Sequence, residues 1–297
     1  SSTYKRQNLR TRTRPFDKFR APLQRAQGEE VPQGVTFCLA IKVSDGLVGI
    51  ADTRVISGSE NITARKVAVF EQDGGSFFLM TSGLRSVRDK VMTYLGERMS
   101  EQDDAIDGLR TRPFDRLFKV ANAFAEDVRR VSREDREALE ESGLRFNIHC
   151  LLGGQMAGDA EPKLYLIYPQ GNWVEIGDET PYHIIGSPGY GKPVLDRTLK
   201  YSDSMPFALK VGCLAFASTR ISASDVDFPI DVVLFFRDSR RMVQQRFEKA
   251  DLVEISEGWQ ERLRASVANL PSAWLERFFA SIDSGIPQEL RDVSRRI

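Results

Sequence analysis

Thr36, Asp52 and Lys66 are the residues whose types and spacing could perform chemistry. A threonine hydroxyl is a weak nucleophile until a base takes its proton, and the α-amine of the same residue can be that base when threonine is the first residue of the chain. A free α-amine titrates at about 7.7–8.0, which suits a base at neutral pH. A lysine held by an aspartate would place positive charge beside this amine and lower its affinity for a proton. The three residues fit an N-terminal threonine nucleophile, and they also fit a strand threonine, a capping aspartate and a solvated lysine.

A β-hairpin is predicted to bring Thr36 and Asp52 together. Residues 35–43 and 47–55 are two strand-like runs, separated by Ser44-Asp45-Gly46, a strong turn signal. Both runs are apolar on both faces, which indicates a sheet that is covered on both sides.

The register of this hairpin decides which side chains share a face. A turn that pairs Val43 with Leu47 predicts one shared face, occupied by Thr36, Cys38, Asp52 and Arg54. In that register Cys38 lies opposite Asp52, and Thr36 is a diagonal neighbour of the aspartate. Lys66, at the start of the next predicted strand, can reach the same face.

The rest of the chain alternates strands with pairs of helices. Strands are predicted at 66–70, 77–81, 146–152, 163–168, 173–176, 183–185, 230–237 and 242–247. Helices are predicted at 84–99, 113–131, 193–201 and 205–219, followed by a helical tail at 255–282 that is broken at Pro271. Hairpins dominate, and single strands do not alternate with single helices. This pattern favours an antiparallel α+β layered domain.

Composition argues against several classes of protein. The 297 residues carry 42 basic and 42 acidic side chains, and the resulting formal net charge of zero is unlike that of a whole-surface nucleic-acid binder. No apolar run approaches the roughly 20 residues that span a bilayer. Three separated cysteines do not predict a disulfide framework, and two histidines without paired cysteines leave little for a zinc site. We therefore expect a reduced, cytoplasmic protein with no metal or organic cofactor, no nucleic-acid partner and no membrane contact.

Residues 1–30 differ in charge from the rest of the chain. They contain eight basic and three acidic side chains, a net charge of +5, which leaves about −5 on the remainder. Pro15, Pro22 and a scarcity of large apolar residues predict a poorly structured segment. The segment fits a solvated tail, a removable propeptide, or an arm that docks on an acidic surface of its own or a neighbouring subunit.

The segment TFCLAIKVSDGLVGIADTRVISG, followed by RKV, resembles the N-terminal region of proteasome β-type peptidases and is most similar to the bacterial Anbu (ancestral β-subunit) family. In that family the mature chain begins with the nucleophilic threonine, which corresponds here to Thr36. The resemblance also implies catalytic roles for Asp52 and Lys66, and a substrate-binding role for Arg54, the arginine of the Asp-Ser-Arg signature. It implies that the backbone N–H of Gly83 is the oxyanion donor, at a strand end that precedes a helix.

Two downstream segments continue the resemblance. IGSPGYGKPVLDR at 185–197 implies an auxiliary serine at Ser187. FPIDVVLFFRDS at 228–239 resembles a strand and turn of the family, and the segment before it implies a second auxiliary serine at Ser224. Val35 departs from the pattern, because self-processing proteasome precursors resemble one another in having glycine before the threonine. A branched side chain there would hinder the acyl shift that frees the amine.

The resemblance implies a four-layer αββα sandwich of the N-terminal-nucleophile hydrolase type. It divides the chain into a basic, poorly structured extension or propeptide at 1–35, a proteasome-like domain at 36–250 and a C-terminal helical extension at 251–297. The implied activity is threonine-type hydrolysis of peptide or amide bonds in a homo-oligomer that forms a ring or open ring, and an ATPase or unfoldase partner stays open. The alternatives are a non-catalytic, proteasome-like assembly subunit with an uncut arm, and a small-molecule amidohydrolase on the same fold.

Overall fold

The computed structural model describes residues 36–57, 60–63, 65–72, 74–101 and 114–283. The strands within these ranges are β1 (Phe37–Val43), β2 (Gly46–Asp52), β3 (Arg54–Ser57), β4 (Glu60–Thr63), β5 (Val67–Gln72), β6 (Gly75–Gly83), β7 (Ile148–Met156), β8 (Lys163–Ile167), β9 (Trp173–Glu175), β10 (Tyr182–Gly186), β11 (Ile230–Phe236) and β12 (Met242–Phe247). The helices are α1 (Arg85–Glu101), α2 (Leu117–Glu141), α3 (Lys192–Thr198), α4 (Met205–Ser222), α5 (Lys249–Ala268) and α6 (Ala273–Asp283).

Two five-stranded antiparallel sheets form the centre of the described chain. One has the strand order β10-β1-β2-β11-β12, and the other runs β5-β6-β7-β8-β9 in chain order. Strands β3 and β4, which lie between β2 and β5 in the chain, form a separate two-stranded hairpin. The prediction of an antiparallel α+β protein is confirmed.

Three clusters of buried side chains explain why the strands are apolar at successive positions. The first cluster joins α1 and α2 to the β5–β9 sheet, the second joins α3 and α4 to the sheet that contains β1, and the third contains side chains of both sheets. Along β6, Phe77 and Leu79 belong to the first cluster, whereas Phe78 and Met80 belong to the third. Since successive side chains of a strand point to opposite faces, each sheet is covered on both sides.

The predicted register of the first hairpin is wrong by one residue. Val43 pairs with Gly46 rather than with Leu47, so that Cys38 lies opposite Ala51 and not opposite Asp52. The turn is therefore the two residues 44–45, and Gly46 is the first residue of β2. Gly46 has φ +145°, and a Cβ atom there would lie 1.9 Å from the Phe235 carbonyl oxygen of β11. Only glycine allows this close approach of two strands, which fixes the register.

Several element boundaries also differ from the prediction. The run 47–55 is interrupted at Thr53, and the β3–β4 hairpin was not predicted. Helix α2 begins at Leu117, whose N–H donates to Asp159 Oδ2 at 2.9 Å, a cap that a local pattern cannot reveal. The same helix continues to Glu141, ten residues beyond its last apolar position in the predicted range, and ion pairs such as Arg130–Glu134 line the extension. Pro113, the predicted start, lies outside the described residues.

No helix in the described ranges combines the length and the apolar character that crossing a membrane requires.

Candidate active site

Thr36 and Asp52 meet at the ends of two neighbouring strands. Thr36 immediately precedes β1, and Asp52 is the last residue of β2. Thr36 Oγ1 donates a hydrogen bond to Asp52 Oδ1 at 2.7 Å, and the Phe37 N–H donates to the same oxygen at 2.8 Å. Both side chains are buried, with 4 % of Thr36 and none of Asp52 exposed. The predicted contact between the two residues is present although the predicted register is wrong.

The end of the β1–β2 ladder explains this contact. Pairing between the two strands stops at Cys38 and Ala51, and Asp52 pairs instead with Ile230 of β11. Thr53 then turns the chain, because its N–H and its hydroxyl both donate to the Pro229 carbonyl at 3.1 and 2.8 Å. Asp52 is thus held at a bend rather than inside a regular ladder, and its carboxylate reaches Thr36.

Lys66 completes the cluster from the other sheet. It lies immediately before β5 and is buried. Its Nζ donates to Asp52 Oδ1 and to the Arg54 carbonyl oxygen, both at 2.7 Å, and also donates to Thr36 Oγ1. An ammonium has three donors, and all three are engaged, so the Lys66 charge is fixed beside the threonine oxygen.

The electrostatics of the cluster depend on the buried carboxylate. Burial raises the pKa of Asp52 above its ordinary value, and the Lys66 ammonium and the hydrogen bonds act in the opposite direction. All of these donors meet Oδ1, whereas Oδ2 has no hydrogen-bond partner in the described part of the chain. The threonine hydroxyl consequently lies between a carboxylate that accepts its hydrogen bond and an ammonium that favours negative charge on its oxygen.

Cys38 is a packing residue of the cluster shared by the two sheets. Its thiol is fully buried and donates to the Thr81 carbonyl oxygen at 3.8 Å. Burial raises the pKa of Cys38 to about 12, so the thiol stays protonated at neutral pH. The side-chain hydrogen bonds to Asp52 and Lys66 are made by Thr36.

Ser187 adjoins Thr36 through the main chain. The Ser187 N–H donates to the Thr36 carbonyl oxygen at 2.8 Å, and the Ser187 side chain is half-buried. Gly186, at the end of β10, has φ +97°, and a Cβ atom there would lie 1.9 Å from the Thr36 carbonyl oxygen. The glycine lets the chain pass directly over Thr36 and brings Ser187 to the site.

Gly83 ends strand β6, where it pairs with Ile148 and is exposed. Two residues earlier in the same strand, the Thr81 N–H donates to the Lys66 carbonyl oxygen at 3.3 Å and the Thr81 carbonyl accepts from Cys38. These contacts attach the end of β6 to the elements that carry Lys66 and Thr36. Helix α1 begins two residues after Gly83.

Arg54 lies against the segment that carries Ser224. Arg54 Nη1 donates to the Ser224 carbonyl oxygen at 3.0 Å and lies 3.6 Å from Asp227 Oδ2. The Ser224 hydroxyl donates to its neighbour Asp225 at 3.2 Å. The described contacts thus join Ser224 to Arg54, and Arg54 to Lys66 through the Arg54 carbonyl. Asp227 was missed by the sequence analysis, since a single acidic residue in a loop gives no signal of its partner.

In the described ranges, no group of three or more histidine, cysteine, aspartate or glutamate side chains could hold a metal ion.

Solved structures of Anbu proteins match the chain over most of its length. Anbu (ancestral beta-subunit) from Yersinia bercovieri is 31 % identical with a TM-score of 0.70, over 80 % of this chain and 98 % of that chain. The chain belongs to the Anbu family. Anbu from Hyphomicrobium sp. strain MC1 is 30 % identical with a TM-score of 0.70, over 80 % of this chain and 98 % of that chain. The helical assembly of the Anbu complex from Pseudomonas aeruginosa is 29 % identical with a TM-score of 0.71 and the same coverage.

No protein-family model matches this Anbu chain, and no curated protein matches it. The family resemblance inferred from residues 36–271 is confirmed by the solved structures, and it gives a proteasome-related, β-subunit-like fold.

Proposed function

We propose that this Anbu chain is a threonine-type hydrolase of the proteasome β-subunit class that cleaves peptide or amide bonds. One observation carries the proposal: the Thr36 hydroxyl donates to the buried Asp52 carboxylate and accepts from the buried Lys66 ammonium. We also propose that the fold is the four-layer αββα sandwich of N-terminal-nucleophile hydrolases. The three buried clusters, helix with sheet, sheet with sheet, and sheet with helix, support this arrangement.

The proposed reaction begins after residues 1–35 are removed as a propeptide, which frees the Thr36 α-amine. Thr36 Oγ attacks the substrate carbonyl carbon while its proton passes to the α-amine, and the backbone N–H of Gly83 stabilises the resulting oxyanion. The carbon–nitrogen bond then breaks, the leaving amine takes the proton, and an ester to Thr36 remains. A water molecule, activated by the same α-amine, hydrolyses this ester and releases the acid.

Lys66 and Asp52 prepare Thr36 for this reaction. The Lys66 ammonium lies beside Oγ1, where it favours the deprotonated oxygen and lowers the proton affinity of the nearby α-amine. Asp52 holds both Lys66 and the hydroxyl through one oxygen. Ser187 and Ser224 are proposed as auxiliary residues, Ser187 from its bond to Thr36 and Ser224 through Arg54. Arg54 was predicted to bind substrate, and its contacts with Ser224 and Asp227 give it a further role in fixing that loop.

We propose that the chain forms a homo-oligomer through its C-terminal helices. Leu263 and Val267 on α5 and Trp274 on α6 are 50 %, 63 % and 62 % exposed, which is costly for apolar side chains in water. The Anbu complex from Pseudomonas aeruginosa, with 29 % identity, forms a helical assembly. Leu263→Ser with Trp274→Ser should reduce the assembly mass in light scattering, whereas Val174→Ser, a 42 % exposed control on β9, should not. An unchanged mass in the double variant would contradict this interface.

Intact-mass measurement of the purified protein, combined with two substitutions, tests the enzymatic proposal. We expect a form that begins at Thr36 and hydrolyses fluorogenic peptides. Thr36→Ala should abolish turnover, and Thr36→Ser should retain part of it because serine supplies the same hydroxyl and amine. Cys38→Ala, two residues further along the chain in β1, is the matched control and should remain active.

Three results would count against the proposal. A chain that keeps residues 1–35 in its native host and is fully active would exclude the amine mechanism. Inactivity of the parent and of every variant would favour the assembly-subunit alternative. Activity on small amides but not on peptides would favour the amidohydrolase alternative.

A further inference from the structure

A cavity of about 270 Å³ lies between helices α4 and α5. It is separate from the group of Thr36, Asp52 and Lys66, called here the Thr36 cluster. Its apolar wall is formed by Cys213 and Phe216 of α4, Phe228, and Leu252 of α5. Phe216 and Phe228 contact each other edge to face, with ring centroids 5.0 Å apart, so this wall is aromatic. At about 30 Å³ per water molecule the volume corresponds to about nine waters, which suits a ligand of about ten non-hydrogen atoms.

The polar side of the cavity contains an arginine whose donors are not used. The Arg220 Nε atom is buried and has no hydrogen-bond partner among the described residues. Arg220 Nη1 lies 3.8 Å from Asp227 Oδ1, which is too long for a hydrogen bond. A buried donor without an acceptor costs about 1–3 kcal/mol, more when it is charged, so the fold retains an unfavourable group at this position.

The charged side chains on this polar side favour an anionic ligand. Of the described residues that line the cavity, Arg220 and Lys249 are basic and Glu257 is acidic, and Asp227 lies 3.8 Å from Arg220, so Lys249 supplies a second cation on this side. A planar guanidinium that presents unused N–H groups matches a carboxylate, which can accept two parallel hydrogen bonds.

We propose that this cavity binds a small amphipathic carboxylate, with its carboxylate on Arg220 and its apolar body against Phe216, Phe228 and Leu252. The carboxylate of the ligand accepts from the Nη side of Arg220, where the contact with Asp227 is too long for a hydrogen bond, and the apolar body fills the cavity at the same time. The site is distinct from the Thr36 cluster and does not depend on the proposed hydrolase activity.

Isothermal titration of the full-length protein with 3-phenylpropionate tests the proposal, and 3-phenylpropan-1-ol is the neutral probe of the same shape. We expect the carboxylate to bind with a Kd below about 10 mM and the alcohol to bind at least about tenfold more weakly. Arg220→Gln should weaken binding of the carboxylate about tenfold or more, because it removes a charged donor. Lys210→Gln, which removes an exposed positive charge from the same helix outside the cavity, should leave binding unchanged.

Ala217→Leu keeps the test decisive if the arginine variant is poorly folded. Ala217 lines the cavity on α4, and leucine is a good helix former that fills the space without changing charge. We expect this variant to bind neither probe, with an unchanged circular dichroism spectrum. Three results would each overturn the proposal: no binding of the carboxylate to the parent, equal binding of acid and alcohol, or binding that neither Arg220→Gln nor Ala217→Leu weakens.

Discussion

Asp52 and Asp231 are two buried aspartates on neighbouring strands of one sheet, and they are bonded in opposite ways. Asp231 lies on β11 opposite Ala51, and its two oxygens each accept from Arg246, Nε at 2.8 Å and Nη2 at 2.9 Å. Asp52 instead receives three donors on Oδ1 alone, and Oδ2 has no partner among the described residues.

Under the proposed function, the difference separates an aspartate that holds the fold from one that supports the reaction. A bidentate arginine pair satisfies a carboxylate and fixes its plane, which stabilises the join between β11 and β12. The Asp52 arrangement leaves a buried acceptor unused and concentrates a hydroxyl, an amide and an ammonium on one atom. Such incomplete satisfaction costs stability, and proteins retain it where a site requires it.

Lys66→Met, which removes the positive charge beside Asp52, is expected to have the largest effect on activity and stability. The hydrolysis rate should fall at least about 100-fold, because the charge beside the threonine oxygen is lost. The free energy of unfolding should fall by about 3–5 kcal/mol at neutral pH, because a buried carboxylate loses its counter-ion. Peptide hydrolysis and urea denaturation measure the two effects.

Lysine 42 provides the control for this substitution. Lys42 on β1 is also buried, and its Nζ lies 2.9 Å from Asp178. Lys42→Met should lower stability without lowering the activity of the folded protein. Equal losses of activity in the two lysine variants would contradict a specific role of Lys66 in the reaction.

The stability of Lys66→Met should also depend on pH in a defined direction. Burial raises the pKa of Asp52 in the folded protein above its value in the unfolded chain, so the folded state binds a proton more readily. Protonation of Asp52 removes the unpaired charge. The loss of unfolding free energy in Lys66→Met relative to the parent should therefore be smaller at about pH 5 and larger at about pH 8. Urea denaturation at the two pH values measures this difference. A larger loss of stability in acid would contradict the assignment of Asp52 as the unpaired charge.

Asp52→Asn and Asp231→Asn compare the two aspartates directly. Asp52→Asn should lower kcat about 10–100-fold, because the amide preserves shape but not charge. It should also cost about 3–5 kcal/mol of stability, because the buried Lys66 ammonium loses its counter-ion. Asp231→Asn should cost about 1–3 kcal/mol of stability, because it breaks a bidentate pair, and should leave kcat unchanged. A loss of kcat in Asp231→Asn as large as that in Asp52→Asn, measured on protein shown to be folded by thermal denaturation, would show that the division of roles is wrong.

A smaller effect is expected from Gly186→Ala, which moves Thr36 relative to Asp52 and leaves the Asp231 pair untouched. The new Cβ atom would lie 1.9 Å from the Thr36 carbonyl oxygen, so the threonine must shift, and kcat should fall about tenfold. Gly189→Ala, where a Cβ atom meets nothing within 4 Å, is the control. Similar kinetics in both alanine variants would count against tight positioning of Thr36.

The smallest effect is expected for alkylation of Cys38 by iodoacetamide. Burial raises the pKa of Cys38 to about 12, so almost none of this thiol is ionised at pH 8. Mass spectrometry should find no modification of the folded protein at this residue and complete modification in urea. Rapid labelling of the folded protein together with loss of activity would return Cys38 to consideration as nucleophile.

The sequence predicted the antiparallel α+β architecture and the contact between Thr36 and Asp52. It could not give the hairpin register, because that depends on the approach of Gly46 to Phe235, residues that lie far apart in the chain. The start of α2 depends on Asp159, and the partner of Arg54 is Asp227, which are also long-range contacts. The α4–α5 cavity was beyond sequence reasoning for the same reason, since its wall combines residues from two helices and a loop.

The hydrogen bonds around Thr36 bear on what a cut before this residue would do. Chain termini usually fray unless other contacts tie them down. Here the Thr36 carbonyl is held by Ser187, the Thr36 hydroxyl by Asp52 and Lys66, and the next amide by Asp52. None of these bonds uses a group that precedes Thr36. Cleavage at this point would therefore create a terminus that is already anchored in place, and maturation would require no rebuilding of the first strand.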